Sequence, residues 1–239
     1  MKLDLSRPHQ VYRLASGERV PGVTTVQGVL AKPALIDWSA GEERAGLLKR
    51  WETGDTSPIP DAYYYKAKRD KAADLGTVIH AHAQAFHAGE TLEADGIPAD
   101  IYVKSAFGFS RYLEFWAAGG FKLLASELQM VSERDRVGGT IDVLARDKDG
   151  LLTLLDLKST KASKYWPYPD TLSQVSQYAS MVGECTGYGD VQRIIVVRVG
   201  KEEGDELQTY ELSSAERAAG LKLFLAARDA YQALKEIGR

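Results

Sequence analysis

The stretch VGGTIDVLARDKDGLLTLLDLKST, residues 137–160, decides the fold. It holds two short apolar runs separated by Lys148-Asp149-Gly150, a segment suited to a three-residue hairpin loop with glycine in the left-handed position. The reading predicts strands over 136–146 and 151–158, paired antiparallel. Along the second strand Leu152, Leu154, Asp156 and Lys158 alternate onto one face, while Leu155 and Leu157 point the other way into a core. Folding about Asp149 sets residue 142 opposite residue 156, and cross-strand neighbours of that kind have β-carbons about 4.5–5.5 Å apart. Two carboxylates so close repel unless a cation sits between them, which suggests a divalent-metal site. Oxygen-rich sites of this type suit Mg2+ or Mn2+, one ion or two, which polarise a phosphoryl oxygen and lower the pKa of bound water. Lys158 beside such an ion would orient the attacking water or neutralise charge developing on a phosphate. A lone D-x-K is common on surface hairpins; the register and the apolar flanks argue for chemistry.

Around this hairpin the chain has two textures. Upstream, Ser16-Gly17 divides strand-like segments 11–14 and 20–26 into a β-hairpin. Helices follow over 33–51 and 61–88, the latter opening after Pro60-Asp61, with a loop over 52–60 between them. A third helix over 99–118 ends at Gly119-Gly120. Downstream, strands over 121–131 and 191–199 join the two already described. A helix near 170–182 bridges the last two strands, and a long amphipathic helix over 213–236 closes the chain. Helices, then strands, then a strand–helix–strand crossover imply an α/β fold with a mixed central sheet flanked by helices, and an N-terminal hairpin and helical elaboration. The expected organisation is one domain over 1–239: hairpin and helices over 1–75, a core over 76–212 and the closing helix over 213–239.

Composition narrows the class. A length of 239 residues, 44% of them hydrophobic, can bury a real core. The formal net charge of −3 shows no global positive field, although a local positive groove would serve a nucleic-acid partner equally well. The single cysteine, Cys185, excludes an internal disulfide, a four-cysteine iron–sulfur cluster and a Cys-rich zinc site. MKLDLSRPHQ carries no apolar leader, and no apolar run reaches membrane-spanning length, so the expectation is a cytoplasmic protein.

Other residues gather around the hairpin. In GTVIHAHAQAFH, His82 lies about 200° around the helix from His80, and His87 about 10.5 Å further along it, so at most one of the three can serve a given ion. Glu127, in SELQMV, stands on the strand before Asp142 and is either a further pocket carboxylate or a partly exposed strand acid. Gln174 and Tyr178, four apart, share a helix face that would brace the lysine, contact a ligand or simply cap the sheet.

Taken together, Gly76-Thr77-x-x-His80, Glu127, Gly139-Thr140-Ile141-Asp142, Asp156-Leu157-Lys158-Ser159 and Gln174-x-x-x-Tyr178 resemble, in order and separation, the PD-(D/E)XK nucleases of restriction-endonuclease-like fold, in their RecB-type exonuclease branch. VPGVTTVQGVLAKPALIDW resembles the opening of phage-encoded members and of the mitochondrial genome maintenance exonucleases. The resemblance spans about residues 11–180. It implies that His80, Asp142 and Asp156 are metal ligands together with the Leu157 carbonyl, that Lys158 serves the water and scissile phosphate, that Glu127 is an accessory acid, and that Gln174 and Tyr178 support the site or touch DNA. The chain departs from the branch twice: it lacks the four cysteines that hold a cluster in many relatives, and Gln84 stands where an acid often follows the histidine by one turn.

A backbone-cutting enzyme should offer cations to phosphates and aromatics to unpaired bases. Tyr63-Tyr64-Tyr65 with Lys66, Lys68, Arg69 and Lys71 leads into the His80 helix, and Lys161, Lys164, Tyr165, Trp166 and Tyr168 follow the Lys158 strand; each alone would be an ordinary solvated face. The function expected is a metal-dependent exonuclease on single-stranded DNA or free ends, in recombination, repair or phage replication. The alternatives are a structure- or site-specific endonuclease on the same scaffold and a non-cutting DNA-binding accessory protein. Polarity and oligomeric state are not written in these residues.

Overall fold

The computed structural model describes residues 1–3, 10–57, 63–159, 167–200 and 204–238. Its centre is a five-stranded sheet of β3 (Lys122–Ser132), β4 (Val137–Arg146), β5 (Leu152–Lys158), β6 (Arg193–Arg198) and β7 (Gln208–Glu211), in that order. β5 and β6 run parallel and every other pair antiparallel. The sheet is therefore mixed, because β5 reaches β6 through α5 (Pro169–Cys185). A two-stranded hairpin, β1 (Tyr12–Arg13) with β2 (Arg19–Val20), precedes it.

The β4–β5 turn forms as its residues dictate. Asp147 and Leu151 close it through a backbone hydrogen bond of 3.1 Å, leaving Lys148-Asp149-Gly150 as the loop, with Gly150 at φ 81°. The Asp147 carboxylate accepts from the Asp149 and Leu151 N–H groups at 3.0 Å each, which pins the register.

Alternation along β5 divides the core in two. Leu152 and Leu154 pack with Val175 and Met181 of α5 and Phe224 of α6 (Ser214–Glu236). Leu155 and Leu157 pack on the opposite side with Val78 and Ile79 of α3 (Tyr64–His87) and Tyr112 of α4 (Ala99–Gly119). Each such aliphatic side chain, fully buried, stabilises the fold by roughly 1.5–3 kcal/mol. Helices thus cover both sheet faces, and α2 (Pro33–Thr53) lies against α3 outside them.

Two elements differ from the sequence expectation. Residues 23–26 form a short helix, α1 (Val23–Val26), instead of continuing the strand over 20–26. Val23 and Val26, three apart, are both buried in the α5/α6 core, and that burial overrides their β-branched preference. β7 had no sequence signal, being a four-residue edge strand that is almost wholly exposed. Among the described residues, no helix is long and apolar enough to cross a membrane.

Candidate active site

β4 and β5 stop pairing at Val143–Leu155, one step short of Asp142 and Asp156. Beyond that step the Leu157 N–H donates to Asp142 Oδ2 at 2.7 Å, so a carboxylate takes the place of a strand carbonyl. The sheet is open there, and side chains from both of its faces meet at the gap.

Three ligand atoms gather at this opening. His80, Glu127 and Asp142 each offer one, and all lie within 4.8 Å of one another. His80 Nδ1 stands 3.5 Å from Asp142 Oδ1. His80 arrives from α3; its helical neighbours do not, since His82 is buried against Ser105 at 3.1 Å and His87 meets the Tyr112 hydroxyl at 2.7 Å. Glu127 arrives from β3 through a backbone distortion. It has φ 51°, a left-handed value uncommon for a side-chain-bearing residue, and the ladder pairs Ser126 with Val143 and Leu128 with Ile141 while skipping the pair between.

Asp156 and Lys158 lie beside this group, on the α5 side of the sheet. Lys158 Nζ is 2.7 Å from Asp156 Oδ2. That oxygen is buried and, among the described residues, has no partner besides the Lys158 ammonium, which leaves lone-pair capacity. Asp156 is 2% exposed.

The charges at the opening have separated. Burial acts to raise the Asp142 carboxyl, but His80, Lys158 and the Leu157 N–H outweigh it and hold Asp142 below the usual carboxylate range. Asp156 goes the other way: burial and the Asp142 charge lift it against the pull of Lys158. Burial would lower the His80 imidazole and the Lys158 ammonium, yet Asp142 raises His80, and Asp156 with Asp142 raises Lys158. Lys158 is thus a cation at neutral pH. Two carboxylates, a third acid and an imidazole around one opening match the donor set of a hard divalent ion, and the unsatisfied Asp156 oxygen fits it too.

Tyr178 lies with its ring against Gly139, where a Cβ would come within 2.5 Å of Cε1. Its hydroxyl accepts from Gln174 Nε2 at 3.1 Å. Gly76 of α3 touches Ser159 just past Lys158; a Cβ there would lie 2.4 Å from the Ser159 hydroxyl. Among the expected DNA contacts, Arg69 is exposed and paired with Asp70 at 2.7 Å. Lys161, Lys164 and Trp166, and the side chain of Lys68, lie outside the described residues.

The sequence reading missed Tyr12. From β1 it covers Gly138, where a Cβ would fall 2.0 Å from the ring, and its hydroxyl shares a hydrogen bond with Thr140 at 3.0 Å, two residues from Asp142. The signal was present in Gly138-Gly139: adjacent glycines inside a strand mark close approach on both faces.

No protein-family profile matches the sequence, and neither does any curated protein. Among solved structures, the chain is similar to a candidate exonuclease from Eubacterium rectale (11% identity, 78% of this chain and 72% of that one, TM-score 0.40). It is also similar to an alkaline exonuclease from Laribacter hongkongensis (16% identity, 70% and 89%, TM-score 0.37). A third is SSO0001 (14% identity, TM-score 0.32), of which the match covers 61%, against 54% of this chain. At these identities the reading of the chemistry rests on the residues themselves.

Proposed function

We propose that this protein is a Mg2+- or Mn2+-dependent deoxyribonuclease of the exonuclease type, in the RecB-like branch of the PD-(D/E)XK nucleases. The observation that carries the reading is the convergence of His80, Glu127 and Asp142 within 4.8 Å beside the Asp156–Lys158 pair. Five motifs in the order of that branch support it. His80, Asp142 and Glu127 would hold the ion, with Asp156 and the Leu157 carbonyl completing its surroundings. A divalent ion held by these residues would supply Lewis-acid polarisation of a phosphoryl oxygen and acidification of a nearby water.

The remaining work falls to the protein. Lys158, cationic and anchored by Asp156, neutralises charge on the phosphate under attack. Because that anchor fixes the ammonium before substrate arrives, little reorganisation is needed during reaction. Tyr178, held by Gln174 and seated on Gly139, walls the opening from the α5 side.

The test uses purified protein with manganese, comparing wild type with Asp142→Ala on end-labelled linear DNA and closed circular DNA. Wild type should consume linear DNA and spare the circle, and the variant should lose at least about 100-fold in rate. Manganese should also raise the wild-type Tm by about 5–10 °C at a hundredfold excess over its Kd, and leave the variant unmoved. Equal cutting by both proteins would sink the site; cleavage of the circle would turn the reading to an endonuclease.

A further inference from the structure

At its far end from His80, α3 begins in a cluster of aromatic rings. Tyr63, 57% exposed, stacks on Tyr65 with centroids 5.7 Å apart and planes 29° from parallel. Trp38 of α2 meets the Tyr65 ring edge-on at 6.1 Å. Lys66 Nζ lies 5.0 Å from the Tyr63 centroid, placing a cation beside the aromatic face. Partial burial between α2 and α3 would account for Trp38 and Tyr65, but not for an exposed tyrosine stacked on a second ring with an ammonium beside it.

Helix geometry ties this cluster to the metal-ligand group. At about 100° per residue, Arg69 lies within roughly 20° of the His80 direction, Lys66 within roughly 40° and Tyr65 within roughly 60°. Tyr65, Lys66 and Arg69 therefore share the side of α3 that carries His80, and Tyr63 stacks on Tyr65 just before the helix begins. Fifteen residues separate Tyr65 from His80 in one unbroken helix, a rise of about 22 Å. Arg69, although paired with its neighbour Asp70, is exposed on this line.

We propose that the Tyr63–Tyr65–Trp38 cluster is a stacking platform for an unpaired nucleobase, the remote anchor of a single DNA strand whose scissile phosphate lies at the His80–Asp142 opening. This rests on the nuclease reading above and specifies the form of its substrate. The ring faces accept any base, Lys66 meets a phosphate flanking the stacked base, and the helix sets the span. A duplex would bury its base faces against each other and leave the platform nothing to stack on. The span of about 22 Å corresponds to about six or seven nucleotides at the ~3.4 Å rise of a stacked strand.

The test measures binding of 5′-labelled oligodeoxythymidylates of graded length by fluorescence anisotropy, without metal so that nothing is cut. In parallel it measures KM and kcat with manganese. Wild-type affinity should step upward once the strand exceeds about seven nucleotides. Tyr63→Ala should remove the step, weakening long oligomers by about tenfold, the loss of one stacked base. It should leave short oligomers and kcat unchanged, and Tyr63→Phe should restore the step. Absence of a step in wild type, equal weakening at all lengths, or equal affinity for a blunt duplex would overturn the platform. Absence of metal-dependent cleavage at every length, with the anisotropy step intact, would instead overturn the nuclease reading while leaving the platform standing.

Discussion

Asp156 is the residue at which stability and the proposed chemistry oppose each other. Burial first, and then the Asp142 charge, lift its carboxyl above the usual range, so the folded chain bears an electrostatic cost there. Asn has nearly the same shape without the charge. Asp156→Asn should therefore lower cleavage at least about 100-fold while changing Tm by no more than about 3 °C. Lys158 retains the Asp142 charge as a partner in that variant. Thermal melts beside rate measurements check this; retained activity, or a Tm loss above about 10 °C, would show that Asp156 serves folding instead.

At the scale of elements, the placing of hairpin β1–β2 depends on one missing side chain. Gly138 donates its N–H to the Pro21 carbonyl at 2.9 Å and lies under the Tyr12 ring, with no room for a Cβ. Gly138→Ala should destabilise by about 1–3 kcal/mol through overpacking. Because the clash is with a single ring, adding Tyr12→Ala should return part of that loss, so the double variant will fall short of the sum of the singles. Chemical denaturation of the four proteins measures it, and strict additivity would place the strain elsewhere. The Tyr12 hydroxyl also bonds Thr140, two residues from Asp142, so under the proposed function the hairpin would position the end of β4 that bears Asp142.

At the scale of the whole molecule, a pH dependence of stability is expected from the α3/α4 side of the sheet. Burial pushes the His87 imidazole down to about 4, with Nε2 against the Tyr112 hydroxyl, and lowers His82 by the same cause. The sign follows from proton uptake. An unfolded chain binds a proton at His87 near its ordinary value of 6.5, whereas the folded chain refuses it until about 4. Stability from this residue is therefore fully present above about pH 6.5 and falls as pH drops toward 4, by on the order of 2 kcal/mol after allowing for solvent screening. Unfolding free energies at about pH 7 and about pH 4.5 should show the loss, and His87→Gln should flatten it. An unchanged slope in the variant would assign the dependence to other groups.

How much was legible beforehand follows from the range of each interaction. The β4–β5 hairpin, its loop and the sequence of helices and strands were readable, because alternation, turn residues and caps act over a few positions. The register that aims residue 142 at residue 156 followed from the turn, although the strands stop pairing one step before them. What the sequence could not determine was how His80 and Glu127 reach that pair. His80 depends on α3 docking through Gly76 onto Ser159, 83 positions later, and Glu127 on a left-handed residue inside a strand that local preference disfavours. α1, β7 and the Tyr12 contact were likewise set by burial, edge pairing and close approach. Local chemistry wrote the hairpin and the order of its motifs; long-range packing alone drew the ligand atoms around the opening, because only the folded core holds like charges together against their repulsion.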